Sequence, residues 1–147
     1  MASRQMVNRP AGIPEDAELA SASGFNEFVG PLYRLSDLED GGVKRFAFVA
    51  AAHHMNSAGT VHGGMLMTFM DTSMGRTSRL VSDAKSTATV SLTCDFVAPA
   101  KLGDVIEAHV RVTRRTRTIV FVSCELVCGG RTLMVGTGVW KIPPTAE

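Results

Sequence analysis

The chain has 147 residues, of which 45% are hydrophobic and 20% charged, and its formal net charge is +1. That length suits one domain with a real core, and so even a charge balance gives no global field for nucleic acid, so an anionic ligand has to be held by a local patch. No apolar run approaches the ~20 residues of a membrane-spanning helix, and the N-terminal stretch lacks the apolar centre of a signal peptide.

Residues 1–23 read as a tail that turns helical over 15–21. The domain proper is expected over 24–142, with a C-terminal tail at 143–147. Gly24-Phe25-Asn26-Glu27-Phe28-Val29-Gly30 has the pattern of a short helix ending at glycine. Pro31 then starts an extended stretch over 32–35, and Asp40-Gly41-Gly42 is a turn signal. In 43–51, Phe46, Phe48 and Ala50 alternate onto one face, as in a strand. After a polar loop, Thr60 is the expected N-cap of a helix running to about Val81. Its Met65, Leu66, Met67, Phe69, Met70, Met74 and Leu80 occupy more than one face. This predicts a helix covered on most sides near its start and open near Arg76 and Arg79. Strands are expected over 86–96, 105–113, 118–127 and 133–142. The connectors 114–117 and 128–131 are short, so the last three strands should form an antiparallel meander. The fold class is α+β, an antiparallel sheet wrapped around one long helix.

The three cysteines, Cys94, Cys124 and Cys128, have no second pair to complete a zinc site and read as free thiols in a reducing cytoplasm. His53-His54 lacks the accompanying cysteines or carboxylates of a metal centre. Trp140 and Tyr33 read as packing residues.

The chemistry concentrates in Asn56-Ser57-Ala58-Gly59-Thr60-Val61-His62-Gly63-Gly64 and, further on, Asp71. Gly63 and Gly64 stand at a helix start, where unpaired N–H groups and the positive end of the helix dipole face outward. This is an oxyanion-binding arrangement in outline. Asp71 lies among Met67, Met70 and Met74, where a carboxylate is partly desolvated unless its face opens to a cleft. It is the candidate base or nucleophile. Gly63 and Asp71 are eight residues apart, about 12 Å of helical rise. A base acting through one water must sit closer than that to the polarised carbonyl. One helix therefore cannot serve both roles for one substrate. Two antiparallel helices about a twofold axis can, because the start of one then meets the middle of the other.

Asn-x5-His-Gly-Gly-x7-Asp resembles the hotdog-fold thioesterase superfamily, specifically the branch of phenylacetate-pathway thioesterases and the mammalian thioesterase-superfamily-member-2 type. Thr89 within Thr87-Ala88-Thr89-Val90-Ser91-Leu92, the loop Pro99-Ala100-Lys101-Leu102-Gly103-Asp104, and Gly136-Thr137-Gly138 also look like that branch. The similarity runs over about residues 43–141. It implies hydrolysis of acyl-coenzyme A, with coenzyme A as part of the substrate and no metal or redox cofactor. By resemblance, Asp71 activates water or attacks directly, and the Gly63 N–H polarises the thioester carbonyl. Asn56 helps position the carbonyl or the water, His62 orients the loop, and Thr89 holds the water. Asn56, His62 and Gly63 would come from one subunit, Asp71 and Thr89 from the other, in a homodimer that pairs into a dimer of dimers. Related branches place Glu where this chain has Asp71. The extension ahead of Val43 departs from the pattern; it covers either the acyl pocket or only the sheet edge.

Arg114, Arg115 and Arg117 crowd one hairpin turn, with Arg111 nearby and Lys101 in another loop. They form either a solvated turn or a clamp for the coenzyme A phosphates; Arg76 and Arg79 could share that task or complement the helix end. The methionines of the helix suit a core, or a pliable acyl pocket. Two rival functions are a hydratase or dehydratase on the same fold, with His as principal base, and a non-catalytic acyl-CoA binding module.

Overall fold

The structure, a computed structural model, describes residues 9–144; the first eight residues of the expected 1–23 tail and the last three of the 143–147 tail lie outside them. Seven strands form one antiparallel sheet: β1 (Glu18–Leu19), β2 (Tyr33–Leu38), β3 (Val43–Val49), β4 (Ala88–Phe96), β5 (Val105–Arg115), β6 (Ile119–Cys128) and β7 (Arg131–Lys141). Their order is β1-β2-β3-β5-β6-β7-β4. Two helices accompany them, the short α1 (Gly24–Val29) and the long α2 (Gly63–Ser82). β5, β6 and β7 form the expected meander. β4 does not neighbour β5. The chain leaves β3, runs through α2 under the sheet and returns as β4 on the far edge beside β7.

The core lies between α2 and the inner sheet face. Phe46, Phe48 and Ala50 are buried there, as their alternation predicts, with Ile106, Ala108, Val120, Leu126, Met134 and Trp140. α2 buries one stripe along its length: Met65, Leu66, Phe69, Met70, Ser73, Met74, Thr77 and Ser78. This corrects the expectation of a helix enclosed around its start. Met67 is 39% exposed, and the stripe continues through hydroxyl residues that the apolar pattern does not register. Thr77 Oγ1 and Ser78 Oγ donate to the carbonyls of Ser73 and Met74, each at 2.9 Å, so their polar atoms are satisfied within the helix. Gly136 and Gly138 of β7 face inward because Met70 and the Trp140 ring occupy the space a side chain would need.

The expected helix over 15–21 does not form. Glu18 and Leu19 instead pair with Arg34 and Tyr33, adding β1 to the sheet edge. Ahead of β1, Ile13 and Ala17 join Tyr33, Leu35 and Ala47 in a second small core on the other face of β2 and β3. That burial against an existing edge outweighs a weak local helical preference.

Candidate active site

The start of α2 is built by the loop before it. Val61 is held extended: it bridges Met55, and its N–H donates to Ala100 O at 2.8 Å. The helix therefore begins at Gly63 with His62 as N-cap, which replaces Thr60 in that role. His62 Nδ1 accepts from the Gly64 N–H at 2.8 Å, so the Gly64 donor is spent on the cap. The Gly63 N–H has no hydrogen-bond partner among the described residues. Asn56 shapes the same loop. Its Oδ1 accepts from the N–H groups of Ala58 and Thr60 at 3.0 and 3.1 Å, and its Nδ2 donates to Thr60 Oγ1 at 2.9 Å. One Nδ2 hydrogen is left over.

Two turns along α2, Asp71 is half-buried, and Thr89 Oγ1 of β4 donates to its Oδ1 at 2.7 Å. The methionines beside Asp71 do not enclose it. Met70 and Met74 point into the core, whereas Met67 stays at the surface. The carboxylate borders two clefts. One, of about 520 Å³, includes Phe25, Met67 and Leu92. The other, of about 380 Å³, includes Asn26, Arg76, Thr87 and Trp140.

β4 runs antiparallel to α2 and is tied to it at both ends. At one end Thr89 bonds Asp71, and Thr87 Oγ1 donates to Gly75 O at 3.1 Å. At the other, the Phe96 ring covers Gly63 so closely that a Cβ there would lie 3.2 Å from Cε1. The molecule thus separates the expected site residues into two groups. Asp71 and Thr89 sit together at one end; Asn56, His62, Gly63 and Gly64 sit at the other. The loop carrying Lys101 belongs with the second group, since Ala100 O takes the Val61 N–H. The arginine turn lies at the first end, because Ala88 pairs with Lys141 and Lys141 with Ile119 across adjacent strands. Arg114, Arg115 and Arg117 are exposed there. Arg111 is held apart from them by a bidentate ion pair with Glu39, both contacts at 2.6 Å.

A thioesterase superfamily model matches residues 58–135, which carry Gly63, Asp71, Thr89 and most of the sheet. The chain belongs to the thioesterase superfamily. The Pseudomonas aeruginosa protein "Putative esterase PA0474" is 30% identical over 139 residues, 94% of this chain and all of that one. Human acyl-coenzyme A thioesterase 13 is 29% identical over 73 residues, half of this chain and 52% of its own length. Zebrafish thioesterase superfamily member 2 superposes with a TM-score of 0.74 at 22% identity, covering 85% of this chain and 91% of that one. The architecture of a sheet wrapped on one long helix is the hotdog fold of that superfamily. No described helix is long and apolar enough to cross a membrane.

The N-terminal extension takes one of its two expected places, packing Ile13 and Ala17 on β2 and β3 near the sheet edge, and it then passes along the middle of α2, a contact that sequence reasoning missed. Asn26 Oδ1 accepts from Thr72 Oγ1 at 3.1 Å, and an Arg76 Nη donates to Ala20 O. The tandem histidines anchor this strap. His53 Nε2 donates to Gly30 O at 3.0 Å, and His54 Nε2 to Val29 O. His54 Nδ1 accepts from the Ala51 N–H at 3.0 Å, which fixes the neutral tautomer with the proton on Nε2. The pairing of these histidines with the helix end was invisible in sequence because their partners are backbone carbonyls.

Burial holds the His54 imidazole below its ordinary pKa, overriding the raising effect of its bond to Val29, with the His53 charge acting in the same direction as burial. The unfolded chain therefore takes up this proton more readily than the folded one. Stability from the neutral ring is complete above about pH 6.5 and declines as pH falls from there through the lowered folded value. The thermal midpoint should fall on acidification through that window, and His54→Gln should flatten this part of the profile.

Proposed function

We propose that this protein hydrolyses acyl-coenzyme A thioesters to the free acid and coenzyme A, at sites shared between two copies of the chain. One observation carries the reading: the half-site with the carboxylate and the half-site with the free N–H lie at opposite ends of the α2–β4 pair. A twofold axis near its middle, by Met67 and Leu92, exchanges those ends. It brings Gly63 of the second copy to Asp71 of the first. The unpaired outer edge of β4 suits that contact: Val90 is 61% exposed and Phe96 54%, and a bare apolar edge strand is a template for pairing. A dimer of two such dimers follows from the family resemblance.

In this arrangement Thr89 fixes one oxygen of Asp71, leaving the other to take a proton from water, with Thr89 Oγ1 also able to accept from that water. Water adds to the thioester carbon, and the Gly63 N–H of the other copy bonds the developing oxyanion. The C–S bond then breaks, and the proton held by Asp71 passes to the departing thiolate. Direct attack by Asp71, giving an anhydride that water opens, uses the same groups. Asn56 serves chiefly by shaping the loop, with one Nδ2 hydrogen left for the carbonyl or the water. None of these steps needs a metal or redox cofactor. The twofold also joins the Lys101 loop of one copy to the Arg114, Arg115 and Arg117 turn of the other, around the mouth where the coenzyme A phosphates would lie. The reading fits a cytoplasmic enzyme, where its substrate is made and used.

His62 argues against the hydratase alternative. Its Nδ1 accepts from the helix that it caps, so it is an orienting group rather than the principal base. Wild-type protein should release free thiol from saturated acyl-CoAs and should not hydrate enoyl-CoA. Hydration without thiol release would overturn the assignment, and binding without either would favour the acyl-CoA binding module.

A further inference from the structure

The geometry points to an anion-binding acyl pocket: the cleft on the Arg76 side of Asp71 accepts an acyl group that carries its own carboxylate. This rests on the thioesterase reading and adds the substrate class. Of the two clefts beside Asp71, the one with Met67 and Leu92 lies on the proposed twofold and is covered by the second copy. The other runs from Asp71 toward the C-terminal half of α2, away from that axis, and is the space left for the acyl group.

Its walls are not those of a fatty-acyl tunnel. They are Ser21, Ser23, Asn26, Thr87 and Trp140, with Arg76 among them. Arg76 is half-buried and has no carboxylate within ion-pair distance among the described residues; its single recorded hydrogen bond goes to Ala20 O. The guanidinium therefore has donors to spare in a partly dry site. Burial and then the like charge of Arg79 both press against its cationic form. A half-buried cation with no protein counter-ion within reach is placed to receive an anionic ligand. The Trp140 indole N–H adds to the case. Trp140 is 1% exposed and lines the same cleft, and its Nε1 makes no hydrogen bond among the described residues. Asn26 Oδ1 accepts from Thr72, and its Nδ2 makes no hydrogen bond among the described residues. Bidentate contact from Arg with a second, neutral donor beside it is how proteins hold a carboxylate. A coenzyme A phosphate offers the same anionic chemistry, and comparing the two leaving groups distinguishes the two sources.

The test compares matched thioesters, valeryl against glutaryl, each on coenzyme A and on N-acetylcysteamine, with wild type, Arg76→Met and Arg76→Lys. The expected result is a wild-type preference for glutaryl. Arg76→Met should cut kcat/KM for glutaryl about tenfold or more on both leaving groups, and leave valeryl within about twofold. Arg76→Lys should recover part of the loss. A loss confined to coenzyme A esters whatever the acyl group would assign Arg76 to the nucleotide and overturn the proposal. So would an equal loss on all four substrates, which is the mark of a loosened strap. A second readout needs no turnover. Trp140 is the sole tryptophan, and glutarate should change its fluorescence in wild type, with affinity weakened about tenfold in Arg76→Met. That titration separates a failure of the anion pocket from a failure of the thioesterase reading.

Discussion

Asp71→Asn should abolish thiol release, lowering kcat by about 10³-fold, while the protein stays folded. The substitution keeps the shape of the side chain. Its Oδ1 can still accept from Thr89 Oγ1, now found at 2.7 Å. What it removes is the ability to take a proton or to attack carbon. Because Asp71 borders two clefts rather than a sealed core, the cost to folding is small and the thermal midpoint should move little. Asp71→Ala should be equally inactive and somewhat less stable, since Thr89 then loses its acceptor. Thr89→Val is the graded companion. It leaves the carboxylate but frees it to rotate, and should cost about tenfold in kcat, with Thr89→Ser restoring most of it. Thiol release from Asp71→Asn within tenfold of wild type would remove the carboxylate from the chemistry.

How far the sequence foretold this site depended on whether each feature is local. The run from Asn56 to Asp71 was readable because loop, glycines and helix start are contiguous. The meander was readable because alternation and short connectors fix it. The cap was misread: Thr60 has the right side chain, but a long-range bond from Val61 to Ala100 keeps the chain extended for two more residues. The buried face of α2 was misread for a different reason. Ser73, Thr77 and Ser78 sit against the sheet, and hydroxyl residues, two of them here bonding their own helix, pass for surface residues in a hydrophobicity pattern. The short helix at 24–29 was readable, but where the strap over 20–29 docks was not. Its partners, Thr72 Oγ1 and the rings of His53 and His54, are tens of residues away, and no periodicity announces a contact of that kind. The position of β4 belongs to the same class. Its composition says strand, but only the crossover through α2 decides that it ends on the sheet edge beside β7.

The shared site itself is open to a test by complementation, using Gly63→Pro beside Asp71→Asn. Proline at Gly63 removes the unpaired N–H and little else. The position is the first of α2, where proline is favoured, and His62 at φ −59°, ψ 133° already has the extended backbone that a residue before proline needs. The added ring must press against Phe96, whose Cε1 would lie 3.2 Å from a Cβ, so Gly63→Ala serves as the control that adds the Cβ and keeps the donor. Loss of one oxyanion donor should cost about 10²–10³-fold in kcat, with Gly63→Ala far less affected. Each homodimer then carries two dead sites. In a heterodimer of the two variants, one site holds both lesions and the other holds neither. Heterodimers isolated by two different tags after co-expression should therefore recover about half of wild-type activity. If base and donor served one substrate from within a single chain, every site in that heterodimer would keep one lesion and activity would stay at the floor. Half-activity from two inactive parents has no explanation other than Gly63 of one copy working with Asp71 of the other.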